Sequence, residues 1–171
     1  MKVILYMAIT ANGMIAKRNN DTSWVSKEEW KSYNATVLHA GCLVVGRKTY
    51  DIMVKEGEFA KLKEVFVVVV SHQEVEMVDP LHQVAHTPQE ALQLLKDYPE
   101  VIIGGGGNIN SEFLKEKLVD EMYLDIEPKL IGKGIRLFEN LDLDFNLVLL
   151  DTKAISPNVV QLHYKVIKSV S

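Results

Sequence analysis

The segment from Val65 to Val70 restricts the fold more than any other, because it consists of five valines and one phenylalanine and carries no charge. A strand of this composition is buried on both faces, as in a parallel sheet that helices cover. Val3 to Ile9 is a second charge-free run of strand length, and it ends shortly before Asn12-Gly13. We therefore predict a parallel sheet in which Val3 to Ile9 takes a central place.

Helix signals alternate with the predicted strands. Ser26 to Glu29 has the spacing of a capping box, and apolar side chains follow at helical intervals, which predicts a helix from about Ser26 to about His39. Thr87-Pro88-Gln89-Glu90 combines an N-cap, a first-turn proline and a capping glutamate, and it predicts another helix. The chain thus alternates strands with helices over its first two thirds.

The last third of the chain has a different character, since turns rather than capped helices separate its strand-like segments. These segments are Met122 to Ile126, Phe145 to Leu150 and Val159 to Val166. We predict that they add antiparallel strands to the sheet. The expected fold is α/β, a three-layer α/β/α arrangement with a mixed sheet, formed by residues 1–171 as one domain.

Composition argues against several classes of protein. A net charge of −4 and a pI near 5.7 do not fit a nucleic-acid-binding surface. No apolar run approaches the roughly 20 residues of a membrane span, and the apolar N-terminus lacks a clear cleavage site, so we expect a cytoplasmic protein with no membrane partner. Cys42 is the single cysteine. We expect it to be a buried apolar residue, and we expect no disulfide and no bound metal.

Two predicted strands run directly into glycine and then into a helix. Val101 to Ile103 leads into Gly104 to Gly107, and Leu43 to Val45 leads into Gly46-Arg47-Lys48-Thr49. Glycine leaves backbone N–H groups accessible beside the positive end of a helix, which favours phosphate. Two such turns suggest a dinucleotide, although a tight turn and a solvated helix start are the simpler explanations. Ser71-His72, after the valine strand, adds a hydroxyl and an imidazole.

In their order along the chain, these motifs resemble the dihydrofolate reductase superfamily, and most closely its branch related to the reductase domain of the bifunctional riboflavin-biosynthesis deaminase-reductase. The similarity covers nearly the whole chain. It rests on Ala8 through Ala16, Val45 to Asp51, Ile102 to Gly106, Asp120 to Leu124 and Pro128 to Gly134.

The resemblance implies an NADPH site. Ala8 and Ile15 would flank the nicotinamide, Gly46 to Thr49 would hold phosphates, Gly104 to Asn108 would cradle the diphosphate, and Arg47 with Ser71 and His72 would meet the adenosine 2′-phosphate. The loop from Asn12 to Trp24 is similar to the mobile loop that covers the nicotinamide in this family. The implied cofactor residues are Ala8, Ile15, Gly46, Arg47, Lys48, Thr49, Ser71, His72, Gly104, Gly105, Gly106, Gly107 and Asn108.

Reduction of a C=N bond also needs a proton on nitrogen. The family usually places a carboxylate near the start of the helix after the loop, where Glu28 is our candidate, while Glu29 is expected to cap Ser26. The second candidate is Asp125, on a strand beside the substrate in similar reductases. For Glu28 and Asp125 alike, the simpler alternative is an exposed acid.

The substrate pocket is predicted to include Tyr6, Asn12 and Trp24. Trp30 and Tyr33 have helical spacing, so they either wall an aromatic pocket or belong to the core. We expect an NADPH-dependent reductase of a pterin-type, dihydrofolate-like heterocycle. The alternatives are reduction of a ribosylaminopyrimidine of the riboflavin pathway, by a chain without the attached deaminase domain, and a catalytically silent nucleotide-binding protein. The β-rich C-terminal third also makes a homodimer possible.

Overall fold

The computed structural model describes residues 1–139, 142 and 144–168. Ten strands and four α-helices follow one another along these residues. The strands are β1 (Lys2–Thr10), β2 (Met14–Lys17), β3 (Cys42–Gly46), β4 (Phe66–Val70), β5 (His82–Ala85), β6 (Glu100–Ile103), β7 (Glu121–Glu127), β8 (Gly134–Arg136), β9 (Leu147–Ser156) and β10 (Val159–Val166). The helices are α1 (Lys27–Ala40), α2 (Arg47–Lys55), α3 (Pro88–Leu94) and α4 (Gly107–Lys115), and a 3₁₀ turn spans Glu58–Lys61.

Eight strands form one sheet in the order β5-β4-β3-β6-β1-β7-β10-β9. All pairs from β5 to β7 are parallel, whereas β10 runs antiparallel to both β7 and β9. The predicted mixed sheet is therefore confirmed, and β1 lies at its centre, between β6 and β7.

Each face of the sheet has its own apolar core, because successive residues of a buried strand point to opposite sides. Along β1, Leu5 packs on one face with Phe113 of α4, and Ile4 packs on the other with Val37 of α1. The first core includes α3 and α4, and the second includes α1 and α2. Helices thus cover both faces, as the predicted three-layer arrangement requires.

The predicted mobile loop from Asn12 to Trp24 is partly regular structure. Residues Met14–Lys17 form β2, which pairs with β8 in a separate two-stranded sheet. The partner strand lies far along the chain, with Lys17 opposite Gly134, so no local pattern around β2 indicates the pairing. The turn after β2 is stabilised by an ion pair between Lys17 Nζ and Asp21 Oδ2 at 2.6 Å.

Cys42 is fully buried in β3, as expected, and burial raises the pKa of its thiol to about 12. No helix within the described residues is long and apolar enough to cross a membrane.

The outer strand β9 is the sheet's most exposed apolar element. Leu147, Val148, Leu149 and Leu150 are each 41–52% exposed, and β9 has one unpaired edge within the part of the chain that the structure describes. The homodimer stays a prediction, and this edge is where a second strand would pair.

Candidate functional site

A cavity of about 660 Å³ lies beyond the carboxyl ends of β3, β4 and β6. This edge of a parallel sheet is the usual place for ligands in α/β proteins. The cavity wall brings together most of the residues predicted to bind cofactor, and it includes one predicted substrate residue. These are Tyr6, Ala8, Ile15, Gly46, Arg47, Lys48, Thr49, Ser71, His72, Gly104, Gly106, Gly107 and Asn108.

The two glycine turns touch each other, because β3 and β6 are parallel neighbours in the sheet. The Gly46 N–H donates a hydrogen bond of 2.8 Å to the backbone oxygen of Gly105. A Cβ atom on Gly106 would lie 3.3 Å from Thr49 Oγ1. Gly105 itself is buried behind the wall, with a φ of +91° that favours glycine, and it joins the turns rather than facing the cavity.

The first turns of α2 and α4 open at these glycines. Gly46 and Gly106 occupy the N-cap positions, and no side chain among the described residues caps either helix. Neither first turn contains an acidic residue. Backbone N–H groups at such helix starts have no partner within the helix, and the helix dipole adds positive charge there. The paired turns therefore fit the phosphates of a dinucleotide.

The side chains predicted to contact the 2′-phosphate differ in the partners that they already have in the protein. Arg47 Nη1 lies 3.0 Å from Oδ2 of Asp51, which is one helical turn further along α2. Both side chains of this ion pair are partly exposed. Ser71 Oγ is bonded to the backbone of Gln73, donating to the oxygen and accepting from the N–H. His72 is exposed at the rim. Of these groups, Arg47 has the charge that a phosphate needs.

Glu29 carries the carboxyl group of α1 that lies on the cavity wall. The residue is 2% exposed, and its side chain makes no hydrogen bond to any described residue. Burial, together with the negative charges of Asp125, Glu127 and Glu58, raises the pKa of Glu29 to about 8. A carboxyl group that holds its proton near neutral pH is suited to general acid chemistry.

This position corrects the expected role of Glu29 as a cap. Ser26 Oγ accepts from the Glu29 N–H at 3.2 Å, so the predicted N-cap is confirmed. The Ser26 N–H, however, donates to Glu127 Oε1 at 2.8 Å, and this bond replaces the one expected from the Glu29 side chain. Glu28, our candidate on this helix, is exposed and lies outside the cavity wall. Adjacent helical residues point about 100° apart, which separates the two glutamates.

Asp125 is neither exposed nor on the cavity wall, which corrects its predicted placement. It is fully buried, and burial raises the pKa of its carboxyl group. The Tyr6 hydroxyl donates to Asp125 Oδ2 at 2.7 Å, and Gln161 Nε2 donates to Asp125 Oδ1 at 2.8 Å. Because Tyr6 lines the cavity, Asp125 can influence the site through its hydrogen bond to Tyr6 and through its own negative charge.

Asp125→Asn is expected to lower the pKa of Glu29 below about 8, because it removes a negative charge that disfavours ionisation of Glu29. A carbon-13 NMR titration of the Glu29 carboxyl group measures this pKa directly. Asp120→Asn is the matched control, since Asp120 is partly exposed and paired with Lys168. An unchanged or raised pKa in Asp125→Asn would contradict the electrostatic coupling.

Two of the predicted substrate residues lie outside the cavity wall. Asn12 is bonded to the backbone of Ile131, donating from Nδ2 at 2.9 Å and accepting at Oδ1 at 3.2 Å, so it joins two loops. Trp24 Nε1 is buried without a hydrogen-bond partner among the described residues. Trp30 and Tyr33 line the cavity in its place.

The sequence contained a signal for the missed residues. Glu29, Tyr33 and Val37 recur every four positions, and all three are buried along one face of α1. Glu58, in the 3₁₀ turn, had no such signal. The segment after β2 also contributes Arg18, Asn20, Thr22 and Val25 to the wall.

Comparison with known families gives a match over most of the chain. The family model described as the RibD C-terminal domain matches residues 1–161. Among curated proteins, the chain is 29% identical over 170 residues to the uncharacterized protein YwjB of Bacillus subtilis (strain 168), covering 95% of this chain and 97% of that protein.

Solved structures share the same fold. A putative riboflavin biosynthesis protein from Shewanella sp. PV-4 is 24% identical, with a TM-score of 0.81, over 98% of this chain and all of that one (100%). The diaminohydroxyphosphoribosylaminopyrimidine deaminase/5-amino-6-(5-phosphoribosylamino)uracil reductase of Thermotoga maritima is 17% identical, with a TM-score of 0.72. The match covers 97% of this chain but 56% of the Thermotoga chain.

Proposed function

The chain belongs to the RibD C-terminal domain family, and we propose that it is an NADPH-dependent reductase of a pterin or pyrimidine heterocycle. One observation carries the proposal: the same cavity joins two glycine turns at uncapped helix starts to the buried carboxyl group of Glu29, whose pKa burial and nearby negative charges raise to about 8. The first part is suited to a dinucleotide, and the second to protonation of a ring nitrogen.

The residues present fit the cofactor. The N–H groups at the start of α2 and α4 would bind its phosphates, and Arg47 and Lys48 would add positive charge beside them. Ala8 and Ile15 would pack against the nicotinamide. NADPH, when bound, supplies a hydride, which is a hydrogen with both electrons of its C–H bond.

Glu29 would supply the matching proton. Adding hydride to the carbon of a C=N bond leaves a pair of electrons on nitrogen, and this nitrogen takes the proton from the Glu29 carboxyl group, directly or through a water. The carboxylate that results takes a proton from solvent, which restores the acid for the next turnover. Tyr6 and Tyr33 hold this part of the cavity in shape, since their rings meet edge to face at 5.3 Å.

A ribosylaminopyrimidine of the riboflavin pathway is the second candidate substrate. The family match favours it, and so does the name of the Thermotoga protein, which is a 5-amino-6-(5-phosphoribosylamino)uracil reductase. The buried acid on the helix after the loop suits either substrate, because hydride addition to a C=N bond leaves a nitrogen that takes a proton.

The experiment that tests the proposal has two stages. Calorimetry should first show binding of NADPH to the purified protein. The loss of reduced-nicotinamide absorbance is then followed with dihydrofolate, dihydrobiopterin and the deaminated intermediate of the riboflavin pathway. Turnover with one of them is the expected result. Binding of NADPH without turnover of any would contradict the reductase and favour the silent nucleotide-binding protein.

Arg47→Ala is expected to weaken NADPH binding about tenfold while changing NADH binding less than about twofold, because a charge-assisted contact of about 1.4 kcal/mol to the 2′-phosphate is lost. Calorimetric titration with both dinucleotides measures the difference. Lys55→Ala, at the exposed end of the same helix, is the matched control and should affect neither. Equal losses for the two dinucleotides would contradict the assignment of Arg47.

A further inference from the structure

A second carboxylate lies on the cavity wall with Glu29. Glu58 begins the 3₁₀ turn after α2, and it lines the cavity while half-buried. Neither glutamate side chain has a hydrogen bond or ion pair to the described residues of the chain, and Glu29 is 2% exposed. Both residues line the same wall, and the charge of Glu58 contributes to the raised pKa of Glu29, which favours the protonated form of Glu29. This wall therefore presents two acids without a hydrogen-bond partner among the described residues, and Lys61 is the positive charge that acts on Glu58.

Aromatic rings frame the two acids. Trp30 and Tyr33 line the same cavity and meet edge to face with ring centroids 5.9 Å apart, and Tyr6 meets Tyr33 in the same way. The faces of such rings attract cations, and their flat surfaces suit a planar ligand. The combination of unpaired acids and aromatic rings is complementary to a flat group that carries N–H donors and positive charge.

The positive side chains of the wall stand on other elements than Glu29 and Glu58. Arg47 and Lys48 stand at the start of α2, beside the glycine turns, and Arg18 stands at the end of β2. A phosphate next to Glu58 would face a like charge in a half-buried place, which opposes binding. The positive side chains suited to phosphates thus stand on different elements from the two acids.

We propose that the carboxylate of Glu58, beside the carboxyl group of Glu29, forms a subsite for the N–H-rich, cationic edge of an unphosphorylated planar heterocycle. The inference rests on the proposed function, because it takes the wall formed by α1 as the substrate's end of the cavity. It makes Glu58 a specificity-determining residue. It also separates this chain from the phosphoribosyl substrate named for the Thermotoga protein.

Three probes of similar shape test the subsite by charge. Benzamidine is a planar cation with N–H donors, benzamide is its neutral counterpart, and phenyl phosphate is an anion. We expect calorimetry to show that benzamidine binds the full chain about tenfold more tightly than benzamide, as one charged hydrogen-bonded pair predicts. Phenyl phosphate should not compete with benzamidine. Competition by phenyl phosphate at similar or lower concentration would overturn the proposal.

Glu58→Gln tests the residue itself. This variant should weaken benzamidine about tenfold and leave benzamide unchanged, because the amide keeps the shape of the side chain and removes its charge. Unchanged benzamide binding also shows that the cavity is still formed. Glu56→Gln is the matched control, since Glu56 is an exposed acid two residues away that does not line the cavity. Equal benzamidine binding by wild type and Glu58→Gln would overturn the assignment.

The probes also separate this inference from the proposed function. NADPH binding is measured on the same protein samples without any probe. NADPH binding with no preference for benzamidine would refute the subsite and leave the reductase in place. A charge-dependent preference for benzamidine without NADPH binding would refute the reductase and support a site for a cationic ligand at Glu58 and Glu29.

Discussion

Glu29→Gln is expected to lower kcat about 100- to 10,000-fold, the usual contribution of a positioned general acid. Glutamine keeps the size of the side chain and cannot release a proton to the ring nitrogen, so binding of NADPH should change little. Steady-state kinetics with the substrate found in the turnover assay measure the loss. Glu28→Gln is the matched control, because Glu28 is the exposed neighbour of Glu29 on the same helix. Full activity in Glu29→Gln would contradict the role of Glu29.

The pH dependence of the wild type gives a second measure of the same group. Glu29 has an ordinary pKa of 4.5 in the unfolded chain and about 8 in the folded protein. Between these values the folded state binds more protons, so the free energy of unfolding falls as pH rises and levels off above about pH 8. Glu29→Gln should reduce this slope. Activity that depends on the protonated acid should likewise fall as pH rises through about 8.

Gly107→Ala is expected to have the largest effect on stability. A Cβ atom there would lie 2.5 Å from the backbone oxygen of Arg136 and 2.9 Å from Glu139 Cγ. Because the backbone of β8 cannot move without disturbing its pairing with β2, we expect a loss of about 1–3 kcal/mol or more. For a chain of this size that lowers Tm by roughly 2–4 °C per kcal/mol. Binding of NADPH should weaken as well, since Gly107 lines the cavity.

Gly132→Ala is the control for this prediction. No described atom lies within 4 Å of a Cβ at Gly132, and its φ is not positive, so the change should leave Tm within about 1 °C of the wild type. Thermal unfolding followed by circular dichroism compares the two variants. A Tm for Gly107→Ala equal to that of Gly132→Ala would show that the glycine is not required by packing against β8.

Elements with local signals were predictable from the sequence. The strand predicted over Val65 to Val70 is observed over Phe66–Val70, and the helix predicted after Thr87 begins at Pro88. Composition and capping specify such elements because the residues concerned are neighbours in the chain. The paired glycine turns also followed from the alternation of strand, glycine and helix.

The parts that sequence reasoning missed depend on partners far along the chain. The Ser26 N–H donates a hydrogen bond to Glu127, a residue 101 positions away. The Glu29 side chain is therefore not needed at that N–H and lies on the cavity wall. Asp125 looked like an exposed strand-end acid, but it is buried by its contacts with Tyr6 and Gln161. β2 and β8 are likewise joined across the chain. Capping-box spacing correctly predicted the helix, but it wrongly predicted that the Glu29 side chain would accept from the Ser26 N–H.

The central place of β1 has a consequence for how the protein is made. Leu5 of β1 is paired with Ile103 on one side and with Met122 on the other. Because β1 is synthesised before β6 and β7, it waits for them before it has any neighbour in the sheet, whereas β3, β4 and β5 can pair as soon as they emerge. Closing such long loops is slow. A nascent chain that stops short of β6 exposes the apolar residues of β1, which makes it a natural client for chaperones.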